Sequence, residues 1–323
     1  MPRHPSTRLS ASSAESGLNE PRKPDPYKGS GFRPAWPQYR VGMSSPSAVE
    51  IAVQDAAGAR AAIARGAARL ELCQALDVGG LTPSLGLLEA VLAAVDPARV
   101  NVLVRPRGGG FVYSADEIDV VCADIRACVA RGAGGVVVGT LTASGLLDRD
   151  VLRRWQDAAG SATVVFHRAI DASADPLAVF DALVEEGVGR VLTSGGAARS
   201  IDGIPTLTAF VERAGDAIEV MAGGGVRVED IAALRGAGVR AVHLSARARA
   251  GTDSPSGPGG GAEGHDETSS DIVAAAVAAA RAAWWRNIIR IVSPKMSGRP
   301  VSSAWALFRV HGIRRSIGST NNW

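Results

Sequence analysis

Four arginines, two histidines, one glutamate and one cysteine stand at the ends of short apolar runs. The run at 69–73 reads Arg-Leu-Glu-Leu-Cys, and period-two alternation puts Glu71 and Cys73 on one face and the leucines on the other. By the same parity Leu103, Arg105 and Arg107 share a face. Further on, His167-Arg168 closes one run with Asp171 just beyond, and Thr193-Ser194-Gly195-Gly196 closes the next. Gly223, Gly224 and Gly225 close a third, and His243, Ser245 and Arg247 share a face on the last. Arginine offers a planar fork of donors that matches carboxylate or phosphate. Glycine runs let backbone N–H groups approach an anion. Arg105, Arg107, Arg168, Ser194, Gly223 to Gly225 and Arg247 are therefore the anion-binding candidates. Glu71, His167 and His243 are the catalytic candidates, with either histidine to move protons and Glu71 to orient the groups around it. Each has a bland reading beside it. Glu71 and Arg105 lie on neighbouring runs and would pair inside the fold. Glycines after strands serve as turns, and a lone histidine is usually a hydrogen-bonded structural residue. Cys73 as an inert buried thiol competes with Cys73 as a metal ligand.

These ends converge only if the runs are parallel strands of one sheet. Eight runs of 4–7 residues, rich in Val, Leu and Ile, alternate with Ala-rich amphipathic segments from Val49 onward. Short continuous apolar runs suit parallel strands buried on both faces. Ser114 with Glu117 has capping-box spacing, and Asp175-Pro176 reads as an N-cap followed by proline in the first turn. Eight strand–helix units over about 235 residues predict a (β/α)8 TIM barrel. A doubly wound open sheet is the alternative, but the first turn, Gln-Asp-Ala-Ala-Gly-Ala, lacks its glycine fingerprint. Barrel sites form at the C-terminal ends of the strands, where the residues above stand.

The chain has 323 residues and a formal charge of +3. That charge is unevenly spread. Residues 1–47 hold 7 bases and 3 acids, residues 284–323 hold 7 bases and no acid, and the middle holds 21 bases and 29 acids. The basic excess lies outside the expected barrel, which argues against nucleic acid as a partner. The longest uninterrupted apolar stretch, Ile272 to Ala280, is 9 residues long, too short for a membrane span. Neither a secretory h-region nor a disulfide framework is evident. Cys73, Cys122 and Cys128 form no C-x-x-C pair, so a cytoplasmic protein is expected. Residues 1–47, with 8 prolines, read as a disordered leader. Residues 48–283 read as the barrel, with 248–269 a flexible insertion. Residues 284–323, with 4 of the 6 tryptophans, read as a basic, disordered tail.

Seven blocks resemble the CutC copper homeostasis family in order and spacing. They are RLELCQALDVGGLTPSLG (69–86), RPRGGGFVYS (105–114), GVVVGTLTASGLLD (135–148), FHRAIDASADP (166–176), RVLTSGG (190–196), MAGGGV (221–226) and HLSAR (243–247). The resemblance covers about 48–247. It implies a TIM barrel, a cytoplasmic and often self-associating protein, and Cu(I) handling. Three positions depart from the family pattern. Ala52 stands where a first-strand cysteine is frequent, Gly110 stands where aspartate follows Arg-Pro-Arg-Gly-Gly, and the stretch after Arg247 is replaced by the insertion. Cu(I) favours soft sulfur ligands, so Cys73 is the expected metal residue. Two other readings stand beside copper: an enzyme of unassigned reaction on a small phosphorylated or carboxylated substrate, and a non-catalytic scaffold.

Overall fold

Valine, leucine and isoleucine in short runs, punctuated by capped helices, build a closed barrel of eight parallel strands. The computed structural model describes residues 48–251 and 264–292. The expected leader, most of the expected tail and the middle of the expected insertion lie outside those residues. The strands are β1 (Ala48–Val53), β2 (Arg69–Leu72), β3 (Val100–Leu103), β4 (Gly135–Val138), β5 (Thr163–Phe166), β6 (Arg190–Thr193), β7 (Glu219–Gly223) and β8 (Ala241–Leu244). The helices between and after them are α1 (Ala56–Ala64), α2 (Leu85–Ala94), α3 (Ala115–Ala130), α4 (Arg149–Ala159), α5 (Pro176–Glu185), α6 (Ile204–Ala214), α7 (Ile231–Gly236) and α8 (Ser270–Val292).

The barrel closes where β1 pairs with both β2 and β8, in a register that sets Ala52 beside Glu71 and Glu50 beside His243. Alternation then sorts the side chains. Ala52, Cys73, Leu103, Val137, Val165, Leu192, Met221 and Ala241 pack as one inner cluster. The intervening strand residues, such as Leu70, Leu72 and Val136, join the helices in the outer core. Helix starts follow the expected chemistry. Ser114 and Glu117 form a reciprocal capping box, and Asp175 accepts N–H bonds from Leu177 and Ala178.

Two expectations need correction. The insertion is not irregular at its ends, because β9 (Arg247–Ala250) pairs antiparallel with β10 (His265–Thr268). Arg247 and Arg249 on one strand pair with Asp266 on the other, ion pairs across this ribbon that composition alone conceals. The last helix does not stop at Ala283. Its backbone runs to Val292, since no glycine or proline interrupts the sequence before Pro294.

Candidate functional site

A cavity of about 280 Å³ opens at the C-terminal ends of the strands. Small side chains at Ala52 and Ala241 leave room within the barrel for the floor beneath it. Glu71, projecting from β2, lines the cavity and is 6% exposed. It makes no hydrogen bond or ion pair among the described residues. The expected pairing of Glu71 with Arg105 is absent. Arg105 instead donates to the carbonyls of Val78, Gly80 and Gly109 and lies over the Phe111 ring. Its guanidinium is drawn to the β2 and β3 loops because three carbonyls converge there.

Beneath Glu71 stands Glu50, fully buried on β1. One Glu50 oxygen faces His243 Nδ1 at 3.1 Å, and the other accepts from Arg69 at 3.1 Å and Asn101 at 3.1 Å. Burial would raise the Glu50 carboxyl, but the His243 hydrogen bond and the charges of His243, Arg69 and Arg190 hold it down at about 2. His243 is pulled down by burial and pushed up more by Glu71 and Glu50, so its net shift is upward. Glu71 has no such compensation. Burial pushes its carboxyl up to about 6, against a downward pull from His243 that is only partly offset by Glu50. The floor is thus an ionised Glu50 paired with His243, and above it a carboxyl poised near neutrality.

Arg168 and Arg247 line the same cavity as Arg105. Arg168 bonds Asp171 at 2.8 Å and Ser194 at 3.1 Å, and remains 42% exposed. Arg247 reaches Asp266 at 2.6 Å and Asp77 at 3.4 Å. It follows Ala246, which turns the chain through a positive φ of 46°. Simple strand parity therefore does not carry from His243 to Arg247, although both line the cavity. Arg107 lies elsewhere. It is bound to Glu117 and to the carbonyls of Gly108, Gly110 and Val112, and stacks on Tyr113. The strand ends at Leu103, so alternation had lost its meaning four residues later.

The two glycine segments differ. After β6, Asp171 already fills the anion position. Its carboxylate accepts from the backbone N–H groups of Ser194 and Gly196 and from the Thr193 and Ser194 hydroxyls. Ser194 is a supporting residue beneath Arg168. After β7, Gly223 ends the strand, and Gly224 and Gly225 line the cavity. A side chain at Gly224 would meet the Arg168 guanidinium, so glycine is what lets Arg168 lie across this loop.

His167 lines the cavity at the end of β5. Its Nδ1 accepts the Ala169 N–H at 3.1 Å, and its Nε2 is buried with no partner among the described residues. Burial, with the Arg105 charge, pushes the imidazole down to about 3. Burial and the Arg105 charge thus favour the neutral form of this ring.

The donors do not suit Cu(I). Cys73 is fully buried, does not line the cavity, and directs its Sγ toward the Val53 carbonyl. Burial and the nearby Glu71 push its thiol far up, away from the thiolate a metal needs. Glu50, Glu71 and His243 each offer an atom within 4.8 Å of the others. That oxygen and nitrogen set is chemically hard or borderline. A cation there would also have to displace the partners that hold both Glu50 oxygens.

Glu50 was not among the expected site residues. It shares parity with Ala52 in the run 48–53, and an acid on the interior face of a buried strand was the available signal. Phe111, packed 5.0 Å from the His167 ring, had no such signal, because its place depends on the loop after β3.

The CutC family model matches residues 47–248. A CutC family protein of Xanthomonas campestris pv. campestris is 44% identical over 200 residues, covering 62% of this chain and 83% of its own length. One from Xylella fastidiosa is 42% identical over 210 residues, covering 65% and 78%. Among solved structures, one described as a copper homeostasis protein CutC from Streptococcus agalactiae aligns with a TM-score of 0.56 at 31% identity, covering 61% of this chain and 97% of that one.

Proposed function

From the premise that this chain belongs to the CutC family, we propose that its barrel mouth is the site of an acid–base enzyme acting on a small anionic substrate. The observation that carries this reading is Glu71, a buried carboxyl with no hydrogen bond or ion pair among the described residues, at the floor of a cavity lined by three arginines. A structural carboxylate would be neutralised by its neighbours. This one is left where its charge is costly and a ligand can reach it, and perturbed groups of that kind concentrate at functional sites. Arg168, Arg247 and the Gly224–Gly225 loop would hold a phosphate or carboxylate. Glu71 would take and return a proton, with burial keeping its carboxyl raised above the Glu50–His243 pair.

Copper homeostasis is what the Streptococcus agalactiae relative is named for, and Cu(I) handling through Cys73 finds no support in the donor set here. No step of the proposed chemistry runs through a metal. The three cysteines are buried free thiols. That supports the cytoplasmic placement we propose, where thiols stay reduced. Among the described residues no helix is long and apolar enough to cross a membrane.

The test is calorimetric titration of 2-phosphoglycolate into the full chain. Arg168→Gln and Arg247→Gln should each weaken binding by about tenfold or more, the worth of one charged hydrogen bond. Unchanged affinity in both variants, or no binding to the wild type, refutes the reading.

A further inference from the structure

His167 is left unused by the acid–base reading, and its geometry is specific. The Ala169 N–H can only donate, so the Nδ1 it meets at 3.1 Å carries a lone pair and no proton. The ring proton is therefore on Nε2, the atom that is buried without an acceptor. A structural histidine satisfies both nitrogens, whereas this one lines the cavity with only one of them satisfied among the described residues. The ring cannot readily turn to correct the deficit. Phe111 and Phe166 pack against it, and Gly139 lies so close that an added Cβ would overlap Nδ1. The short 3₁₀ turn Arg168–Ala172 that begins beside it supplies the N–H that fixes the tautomer.

We propose that His167 is a catalytic residue whose neutral Nε2–H binds a carbonyl oxygen of the substrate and holds it as it becomes an enolate. This rests on the anion-binding, acid–base reading of the same cavity and narrows it to small anionic carbonyl compounds. Glu71, as carboxylate, takes a proton from the carbon beside the carbonyl. The C–H electron pair becomes the new C=C bond, and the carbonyl π pair moves onto the oxygen at His167. With a hydroxyl on the deprotonated carbon, Glu71 returns the proton to the former carbonyl carbon, and the hydroxyl proton crosses to the oxygen at His167. The product is an isomer of the substrate, and no oxidant, reductant or second reactant is required. A neutral donor suits this step because it stabilises the oxyanion without surrendering its proton to it. The low position of the His167 imidazole, which burial and Arg105 enforce, agrees with that role.

The experiment has two readings on the full chain. Nitrogen-15 NMR of labelled histidine should show His167 protonated on Nε2 alone from about pH 5 to pH 8, the span in which an ordinary histidine titrates. A proton on Nδ1, or titration within that span, overturns the proposal. The second reading compares 2-phosphoglycolate, which carries an enolate-like carboxylate beside its phosphate, with ethyl phosphate, which does not. The wild type should prefer the former by about tenfold or more. His167→Ala should erase the preference, and His167→Gln, which keeps an N–H donor, should restore part of it. Equal affinity for the two probes in the wild type overturns this proposal and leaves the anion-binding reading standing. Binding of neither probe overturns both. Should the variants fail to fold, the wild-type tautomer and the wild-type preference still decide.

Discussion

Replacing Glu71 with glutamine should make the protein more stable at neutral pH, and only there. The carboxyl is raised from 4.5 to about 6 by burial, which outweighs the downward pull of His243, with a smaller upward push from Glu50. A raised carboxyl means that the fold favours the neutral form. Below about pH 4.5 the group is protonated in both folded and unfolded chains and costs nothing. As pH rises through about 6 the folded protein must bear the buried charge. The displacement corresponds to about 2 kcal/mol at pH 7.5. Glutamine has nearly the same shape and never ionises, so Glu71→Gln should gain about that much at pH 7.5 and nothing near pH 4. In a barrel of this size the gain raises Tm by about 4–8 °C. Thermal unfolding of the full chain in matched buffers at both pH values reads it directly. A variant less stable than wild type at pH 7.5, or a difference that stays constant with pH, refutes the reasoning.

The two neighbouring arginines should behave oppositely. Arg105→Ala strips the donor from three loop carbonyls and should cost about 3 kcal/mol or more, and lysine should restore little of it because it lacks the fork. Arg107→Ala should lower Tm by no more than about 3 °C and leave 2-phosphoglycolate affinity unchanged; a binding loss there would return Arg107 to the site. A thiol-specific disulfide reagent at pH 8 should leave Cys73 unmodified in the native chain and label it in urea, and Cys73→Ala should not alter Cu(I) affinity; rapid native labelling, or a lost copper site, would contradict the burial argument. Sulfate keeps its charge across the range, so its affinity should rise as pH falls through about 6 and Glu71 loses its charge. Glu71→Gln should flatten that profile, and an unaltered profile would separate Glu71 from the anion site.

The architecture was legible because period and count are local properties. Each of the eight apolar runs overlaps its strand, with β1 starting one residue earlier and β7 ending one residue later than its run, and Ser114 and Asp175 cap the helices that their spacing implied. The site was legible as far as strand parity holds. Glu71, Arg105, His167 and His243 all line the cavity, as do Arg168 and Arg247. Partners were harder to read, because they depend on loops. Arg105 turned from Glu71 to three carbonyls, Arg107 left the mouth for Glu117, and Asp171 took the anion position that the glycines after β6 advertise. Chemical state was least legible. Whether His167 carries protons or holds one depends on a single backbone N–H two residues on, and sequence spacing does not encode that contact. The ribbon of β9 and β10 was obscured by the glycine-rich composition between its strands.

A crystal structure of the full chain grown with both 2-phosphoglycolate and Cu(I) tests the central claim most directly. The account predicts ligand density in the barrel mouth, with the phosphate on Arg168 or Arg247 beside Gly224 and Gly225, the carboxylate on His167 Nε2, and no metal at Cys73. An empty mouth, or an anomalous copper peak on the Cys73 sulfur, would contradict it.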